Sequence, residues 1–259
     1  MSFAAVVPVR NEEHSIIKVI DNLLEIEVDH IIPVINGCKD KSEDLIKSIN
    51  NKAITPISFH QSLGIDVPRA IGACSAYYKG AEGVLFVDGD MDGDIADRLN
   101  ELKDCIITKE HDLALTNCYT KGSLLQISPL AKCLLETRKE LNIGLGIYDK
   151  IGSASPTHGP HAISRRLMKT VPFRELSIPP VELALAVKSG LSLGLGTAIP
   201  HEELGSPQRD PAHVHLVSLT IMGDCIEAIN AYHGKKRTRN KNGLDYTGYH
   251  QERRFDILD

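Results

Sequence analysis

Short apolar runs alternate with amphipathic stretches from the first residues of the chain. Residues 3–9 are almost wholly apolar, Arg10-Asn11-Glu12-Glu13 follow, and Ile16, Ile17, Val19, Ile20, Leu23 and Leu24 then recur at helical spacing. The unit repeats with a strand at 30–35, a polar loop at 36–42 and a helix marked by Leu45, Ile46 and Ile49. A third run around 54–60 leads through Gly64 into a helix over 67–79, which feeds a strand at 84–87. Further on, the pattern predicts helices over 95–107, 129–141, 165–171, 179–189 and 212–232, and strands over 113–116, 161–164 and 191–199. Residues 144–159 have no period and read as a loop over the site. Unbroken apolar strands alternating with helices predict an α/β fold, a mostly parallel sheet with helices on both faces and ligands at the carboxyl ends of the strands.

The run Val84-Leu85-Phe86-Val87 ends abruptly in Asp88, Asp90, Asp92 and Asp94. In extended backbone, residues two apart project to one side, so Asp88 and Asp90 aim at one point beyond the strand. Like charges that close need a cation among them or full hydration, and a hard divalent ion with oxygen ligands suits the first case. A calcium loop is disfavoured because the twelfth position is Leu99 and a strand precedes it. A solvated acidic turn is the plain alternative.

The 259 residues are 42% hydrophobic and 24% charged, enough for one sizeable domain, taken as 1–233, with 234–259 as a basic tail. Five cations fall within 235–241, where the chain is either a solvated tail or a lid that folds over a diphosphate. No apolar run in the sequence reads as a membrane span and the chain starts directly in a strand pattern, so we expect a cytoplasmic protein. A net charge of -5 argues against broad nucleic-acid binding. Six scattered cysteines without a C-x-x-C pair fit free thiols. There is no P-loop, no G-x-G-x-x-G after the first strand and no glycine-rich first loop of pyrophosphorylase type.

Four motifs carry a resemblance: V-V-P-V-R-N-E-E at 6–13, N-G-C-K-D-K-S at 36–42, Gly64 with Arg69, and D-G-D at 88–90. In order and spacing they resemble the family 2-type glycosyltransferases of GT-A fold, the Rossmann-like nucleotide-diphospho-sugar transferase architecture. Through G-P-H-A-I-S-R-R at 159–166, P-V-E-L-A-L-A at 180–186 and L-G-L-G-T-A-I-P-H at 193–201, the second half is similar to the retaining branch typified by glucosyl-3-phosphoglycerate synthase and mannosylglycerate synthase.

This resemblance implies a donor site of Pro8, Arg10, Glu12, Asn36, Asp40, Gly64, Arg69, Asp88 and Gly89, with Glu13 as an alternative to Glu12. It also implies a Mg²⁺ or Mn²⁺ site of Asp88, Asp90 and His201, with His213 and His215 as competitors for the third place, and catalytic roles for Asp90 and Glu182. Each has a plainer reading. Asp40 can cap a helix, Arg69 can be a surface ion pair, His201 a polar surface residue, and Glu182 a first-turn glutamate complementing the helix dipole. Gly159, His161 and Ser164 fall where an acceptor-side loop is expected, and Arg165-Arg166 could meet an anionic acceptor or form a solvated face. The implied activity is hexosyl transfer from a UDP- or GDP-linked donor to a small or anionic acceptor, retaining by resemblance, or inverting with Glu182 or Glu202 as base. The alternative is an inactive nucleotide-sugar-binding protein on the same scaffold. The sequence leaves oligomeric state open, a homodimer included.

Overall fold

The computed structural model describes residues 2–119 and 128–258. The first apolar run forms β1 (Phe3–Val9), and its alternate residues feed two different cores: Ala4 and Val6 pack on one side, Ala5 and Val7 on the other. That two-sided burial is why the run is apolar without alternation. Strands β2 (His30–Asn36) and β4 (Gly83–Phe86) flank it in parallel, and β3 (Ile57–Phe59) extends the sheet beyond β2. With β5 (Leu113–Asn117), β6 (His161–Ser164) and β7 (Leu193–Ala198), the sheet order is β3-β2-β1-β4-β6-β5-β7.

Helices cover both faces. On one face lie α1 (Ile16–Glu25), α2 (Ser42–Ser48) and α4 (Ala96–Ile107), contributing Ile16, Val19, Ile20, Leu23, Ile46 and Leu99 to a core with Val7 and Leu85. On the other lie α3 (Val67–Tyr78), α5 (Pro129–Gly144), the single turn α6 (Tyr148–Ile151), α7 (Arg165–Thr170), α8 (Pro179–Lys188) and α9 (Pro211–Tyr232). Each predicted helix is present. The stretch 144–159 departs from its loop reading only through α6.

Strand β6 runs antiparallel to both β4 and β5, while β7 is parallel to β5. The carboxyl ends of β1, β2, β4, β5 and β7 therefore share one rim with the start of β6. The end of β6 lies at the opposite edge, roughly 10 Å away along the strand. This corrects one expectation. Ser164, Arg165 and Arg166 are carried to the far edge, where Ser164 Oγ donates to Asp112 at 2.8 Å, Arg166 to Asp112 at 3.2 Å and Arg165 to the Ala81 carbonyl at 2.8 Å. They close the bottom of the sheet and do not face an acceptor at the rim.

By length and composition α9 is long and apolar enough to cross a membrane, and 39% of its most apolar window is buried in the protein. It packs against α5 and α8 and carries buried Asp224 and Glu227, whose partners come from the tail. The tail forms a small hairpin, β8 (Asn240–Lys241) with β9 (Leu244–Asp245), and two further 3-10 turns. Cys38, Cys74, Cys105, Cys118, Cys133 and Cys225 are free thiols.

Candidate active site

Strand β4 delivers Asp88 and Asp90 to the rim two and four residues past Phe86, beside the loop that follows β1. The two backbones touch there: Gly89 N–H donates to the Pro8 carbonyl at 3.1 Å, and Ser15 Oγ donates to the Gly89 carbonyl at 2.8 Å. A Cβ on Gly89 would sit 2.9 Å from the Pro8 oxygen, so only glycine allows this approach.

Beneath the aspartates, Arg69 leaves the first turn of α3 nearly fully buried, donates to Asp88 at 2.6 Å and pairs with Asp66 at 3.2 Å. Burial, then Asp90 and Asp66, lift the Asp88 carboxyl to about 6 against the pull of Arg69. Glu182, in the first turn of α8, is 1% exposed and its Oε1 has no partner. Burial raises its pKa to about 8 despite the attraction of Arg69, so it is protonated at neutral pH. His161, at the start of β6, lies with its ring centroid 4.8 Å from that of Phe86, and burial and Arg69 hold it neutral.

Across the rim, Arg209 Nη2 donates to Glu12 at 2.8 Å and to Asp90 at 2.8 Å. Burial raises Glu12 to about 7, with Asp90 and Asp88 adding to the push and Arg209 opposing it. Arg10 is exposed, and its charge and that of Arg209 bear on His213, in the first turn of α9. Sequence reasoning missed Arg209: it stands in a proline- and histidine-rich stretch without period, and its partners lie 197 and 119 residues away.

The loops after β1 and β2 are tied together by polar side chains. Asp40 accepts from Glu13 N–H at 3.0 Å and from Ser42 N–H at 3.0 Å and Oγ at 2.6 Å; burial opposes its ionisation, but these bonds hold its carboxyl below the usual range. Asn36 donates to the Gly64 carbonyl at 3.1 Å and accepts from Leu63 N–H at 2.6 Å, which fixes the loop ahead of Arg69. Both side chains are thus engaged with neighbouring loops.

His201 follows β7 in a 3-10 turn, His201–Leu204, whose Leu204 carbonyl accepts from Gly93 N–H at 3.0 Å. Its ring Nδ1 is 3.1 Å from His158 Nε2, and Tyr119 stacks on both rings. Among the described residues, Asp224, Glu227 and His250 bring ligand atoms within 4.8 Å of one another, whereas Asp88, Asp90 and His201 do not draw together in this way. Arg239 already pairs with both Asp224 and Glu227, and Arg253 with Asp224, so two guanidiniums fill that cluster.

Three of the five cations in 235–241, Arg237, Arg239 and Lys241, pair with carboxylates away from the rim aspartates. Arg237 pairs with Glu175 and Glu227 at 2.8 and 2.7 Å, and Lys241 with Glu140 at 2.6 Å. Arg253 joins Asp224 to Asp66 at 2.7 and 2.9 Å.

The rim thus gathers Pro8, Glu12, Gly89, Asp88 and Asp90, with Arg69 beneath and Arg209 across. Three carboxylates, Glu12, Asp88 and Asp90, meet two guanidiniums, one of them shared with Asp66. Burial and mutual repulsion raise two of the three. Among the described residues these three carboxylates do not bring ligand atoms within 4.8 Å of one another, and the Arg209 guanidinium lies between Glu12 and Asp90.

No family model matches the sequence, and no curated protein matches it either. Solved structures do resemble the fold. Residues 1–349 of TarS from S. aureus superpose with a TM-score of 0.52 at 15% identity, over 90% of this chain and 70% of that one. A longer TarS structure gives 0.50 at 14% identity, and this chain spans only 43% of it. The 4-diphosphocytidyl-2C-methyl-D-erythritol synthase from Anaerococcus prevotii gives 0.50 at 13% identity, over 84% of this chain and 96% of that one. With the strand order and the lone antiparallel β6, these likenesses identify the architecture as GT-A, the Rossmann-like fold of the nucleotide-diphospho-sugar transferases.

Proposed function

We propose that the protein is a metal-dependent glycosyltransferase that moves a hexose from a UDP- or GDP-linked donor to a hydroxyl of a small-molecule acceptor. The observation that supports this reading is that Gly89, between Asp88 and Asp90 at the carboxyl end of β4, bonds the Pro8 carbonyl while Arg209 joins Asp90 to Glu12, on the rim where the strands end. The first loop also carries Arg10-Asn11-Glu12-Glu13 where a pyrophosphorylase would need glycines, which favours sugar transfer over nucleotidyl transfer.

Asp90 and Asp88 are the residues to hold Mg²⁺ or Mn²⁺. The ion supplies Lewis-acid charge to the departing diphosphate. Arg69 aims Asp88, and its own position is set by Asp66. Gly89 would let a diphosphate approach the backbone between the two aspartates. Arg209, which pairs with Glu12 and Asp90, is the exposed guanidinium at the rim placed to donate to the phosphates. Glu182, kept protonated, serves as a hydrogen-bond donor at neutral pH and not as a proton acceptor.

The test is a thermal-shift panel of UDP, GDP, ADP and CDP, with the glucose and mannose forms of the first three, each with and without Mn²⁺. CDP is included because a 4-diphosphocytidyl synthase shares the fold. A ligand that binds only the folded state raises the midpoint by mass action. One nucleotide should stabilise the protein only with Mn²⁺, and Asp90→Ala should abolish that shift. If Mn²⁺ alone shifts the protein and no nucleotide adds to it, the rim is an ion site and the transferase reading fails. Binding without transfer to any acceptor would leave a nucleotide-sugar-binding protein.

A further inference from the structure

A cavity of about 900 Å³ opens beyond the carboxyl end of β5, between α5 and residues 144–158. Asn117, Tyr119, Lys132, Arg138, Lys150 and His158 are among its lining residues. Arg138, from the middle of α5, is 3% exposed, and its Nε has no partner. Among the described residues no carboxylate, carbonyl or hydroxyl accepts from any part of its guanidinium.

A buried guanidinium stays charged, since it does not lose its proton within a protein. Burying it without an anion costs stability, and proteins otherwise pair such groups. Each other strongly buried arginine here obeys that rule: Arg69 has Asp66 and Asp88, and Arg253 has Asp66 and Asp224. Arg138 is the exception among them, and it faces open volume. Lys132 and Lys150 add charge to the same lining, Lys139 is answered by Glu136 at 3.6 Å, and Asp149 is the lining's other carboxylate, so cations outnumber anions there. A planar fork with free N–H groups in a cationic pocket matches an oxyanion in bidentate geometry.

The place of the cavity gives the anion a role. Strand β5 ends on the same rim as β4, so the cavity and the aspartates are neighbours. They share a wall: His158, on the cavity, meets His201, and the turn that His201 begins is bonded to Gly93, just past Asp90. We propose that this cavity is the acceptor subsite, in which Arg138, helped by Lys132 and Lys150, binds a phosphate or carboxylate carried by the acceptor. The acceptor assignment rests on the transferase reading above; the anion site stands on Arg138 alone.

The experiment measures unfolding midpoints of the full chain in inorganic phosphate, acetate and chloride at equal ionic strength, for the native sequence, Arg138→Met and Asp90→Ala. Phosphate or acetate should raise the midpoint above chloride in the native protein and in Asp90→Ala, and should fail to do so in Arg138→Met. In chloride, Arg138→Met should melt no lower than the native protein, because the charge it removes has no partner. Equal midpoints in all three anions, a shift that survives in Arg138→Met, or a marked loss of stability in that variant in chloride would overturn the site. Should Arg138→Met fail to fold, the double variant Lys132→Ala/Lys150→Ala must weaken the shift, and an unchanged shift refutes the proposal. The two readings separate cleanly. A phosphate shift with no Mn²⁺-dependent nucleotide shift keeps the anion site and removes the transferase; the reverse keeps the transferase and removes the anion site.

Discussion

Arg209 Nη2 stands 2.8 Å from Asp90 Oδ2, on the carboxylate to which we assign the metal. The same nitrogen also binds Glu12, so one guanidinium holds two of the three rim carboxylates together. A cation arriving at Asp90 must compete with it. Arg209→Ala should therefore bind Mn²⁺ in the absence of nucleotide roughly fivefold more tightly, the equivalent of about 1 kcal/mol for a half-exposed ion pair. Titration calorimetry with Mn²⁺ alone reads this directly, and equal or weaker binding would show that Arg209 does not guard the site.

Glu182 gives a pH dependence of known sign. Its carboxyl is raised to about 8 in the folded protein, chiefly by burial, from an ordinary value near 4.5. Between those values the folded state holds a proton that the unfolded state has released, so its contribution to stability is complete below the ordinary value and is lost as pH rises through 8. Glu182→Gln keeps the neutral shape. Its melting temperature should match the native protein near pH 5 and exceed it at pH 8.5. Parallel pH profiles for the two proteins would mean that Glu182 is ionised throughout.

Much of this was legible in the sequence, for a physical reason. Strands buried on both faces must be apolar throughout, and Asp88 to Asp94 break that rule so sharply that the rim announces itself in the residues. The direction of β6 was not legible. Four residues, His161 to Ser164, carry the same alternation whichever way they run, and so the sequence left Arg165 and Arg166 between an acceptor-facing and a solvated place, whereas the structure takes them to the far edge. The arginines that matter were hidden for a related reason. Arg138 and Arg209 read as ordinary polar positions of a helix and a loop, because what distinguishes them is the presence or absence of partners remote in the chain. Asp224 and Glu227 sit inside the most apolar helix, where only the folded tail shows why their charges are tolerated.

Arg253 links the tail to the aspartates. It pairs with Asp224 at 2.7 Å and with Asp66 at 2.9 Å; Asp66 in turn holds Arg69, which holds Asp88. Its side chain is fully buried, so Arg253→Met leaves Asp224 with one guanidinium and Asp66 with one fewer. Removing one partner of a buried pair costs about 3–5 kcal/mol. Chemical denaturation should show a loss of that size. The Mn²⁺-dependent nucleotide shift should also shrink, as Arg69 is drawn from Asp88 toward Asp66. A stability loss below about 1 kcal/mol would place the pair outside the range of buried ion pairs.

Gly64 is where the tail meets the loop that carries Arg69. Its φ is +87°, and a Cβ there would lie 2.5 Å from the Glu252 carbonyl and 2.7 Å from Arg253 Cα. Alanine therefore meets two penalties, about 1 kcal/mol for the left-handed backbone and a clash that only movement of the tail relieves. With the tail displaced, Arg254 N–H loses the Leu63 carbonyl it reaches at 2.9 Å, and Arg253 loses its place between Asp66 and Asp224. Gly64→Ala should thus expose the basic residues of 235–241 to trypsin while the sheet stays folded. Limited proteolysis followed by mass spectrometry distinguishes the outcomes. Cleavage confined to the tail at a much higher rate than in the native protein is the expected result, and an unchanged rate would mean that the Gly64 contact does not hold the tail in place.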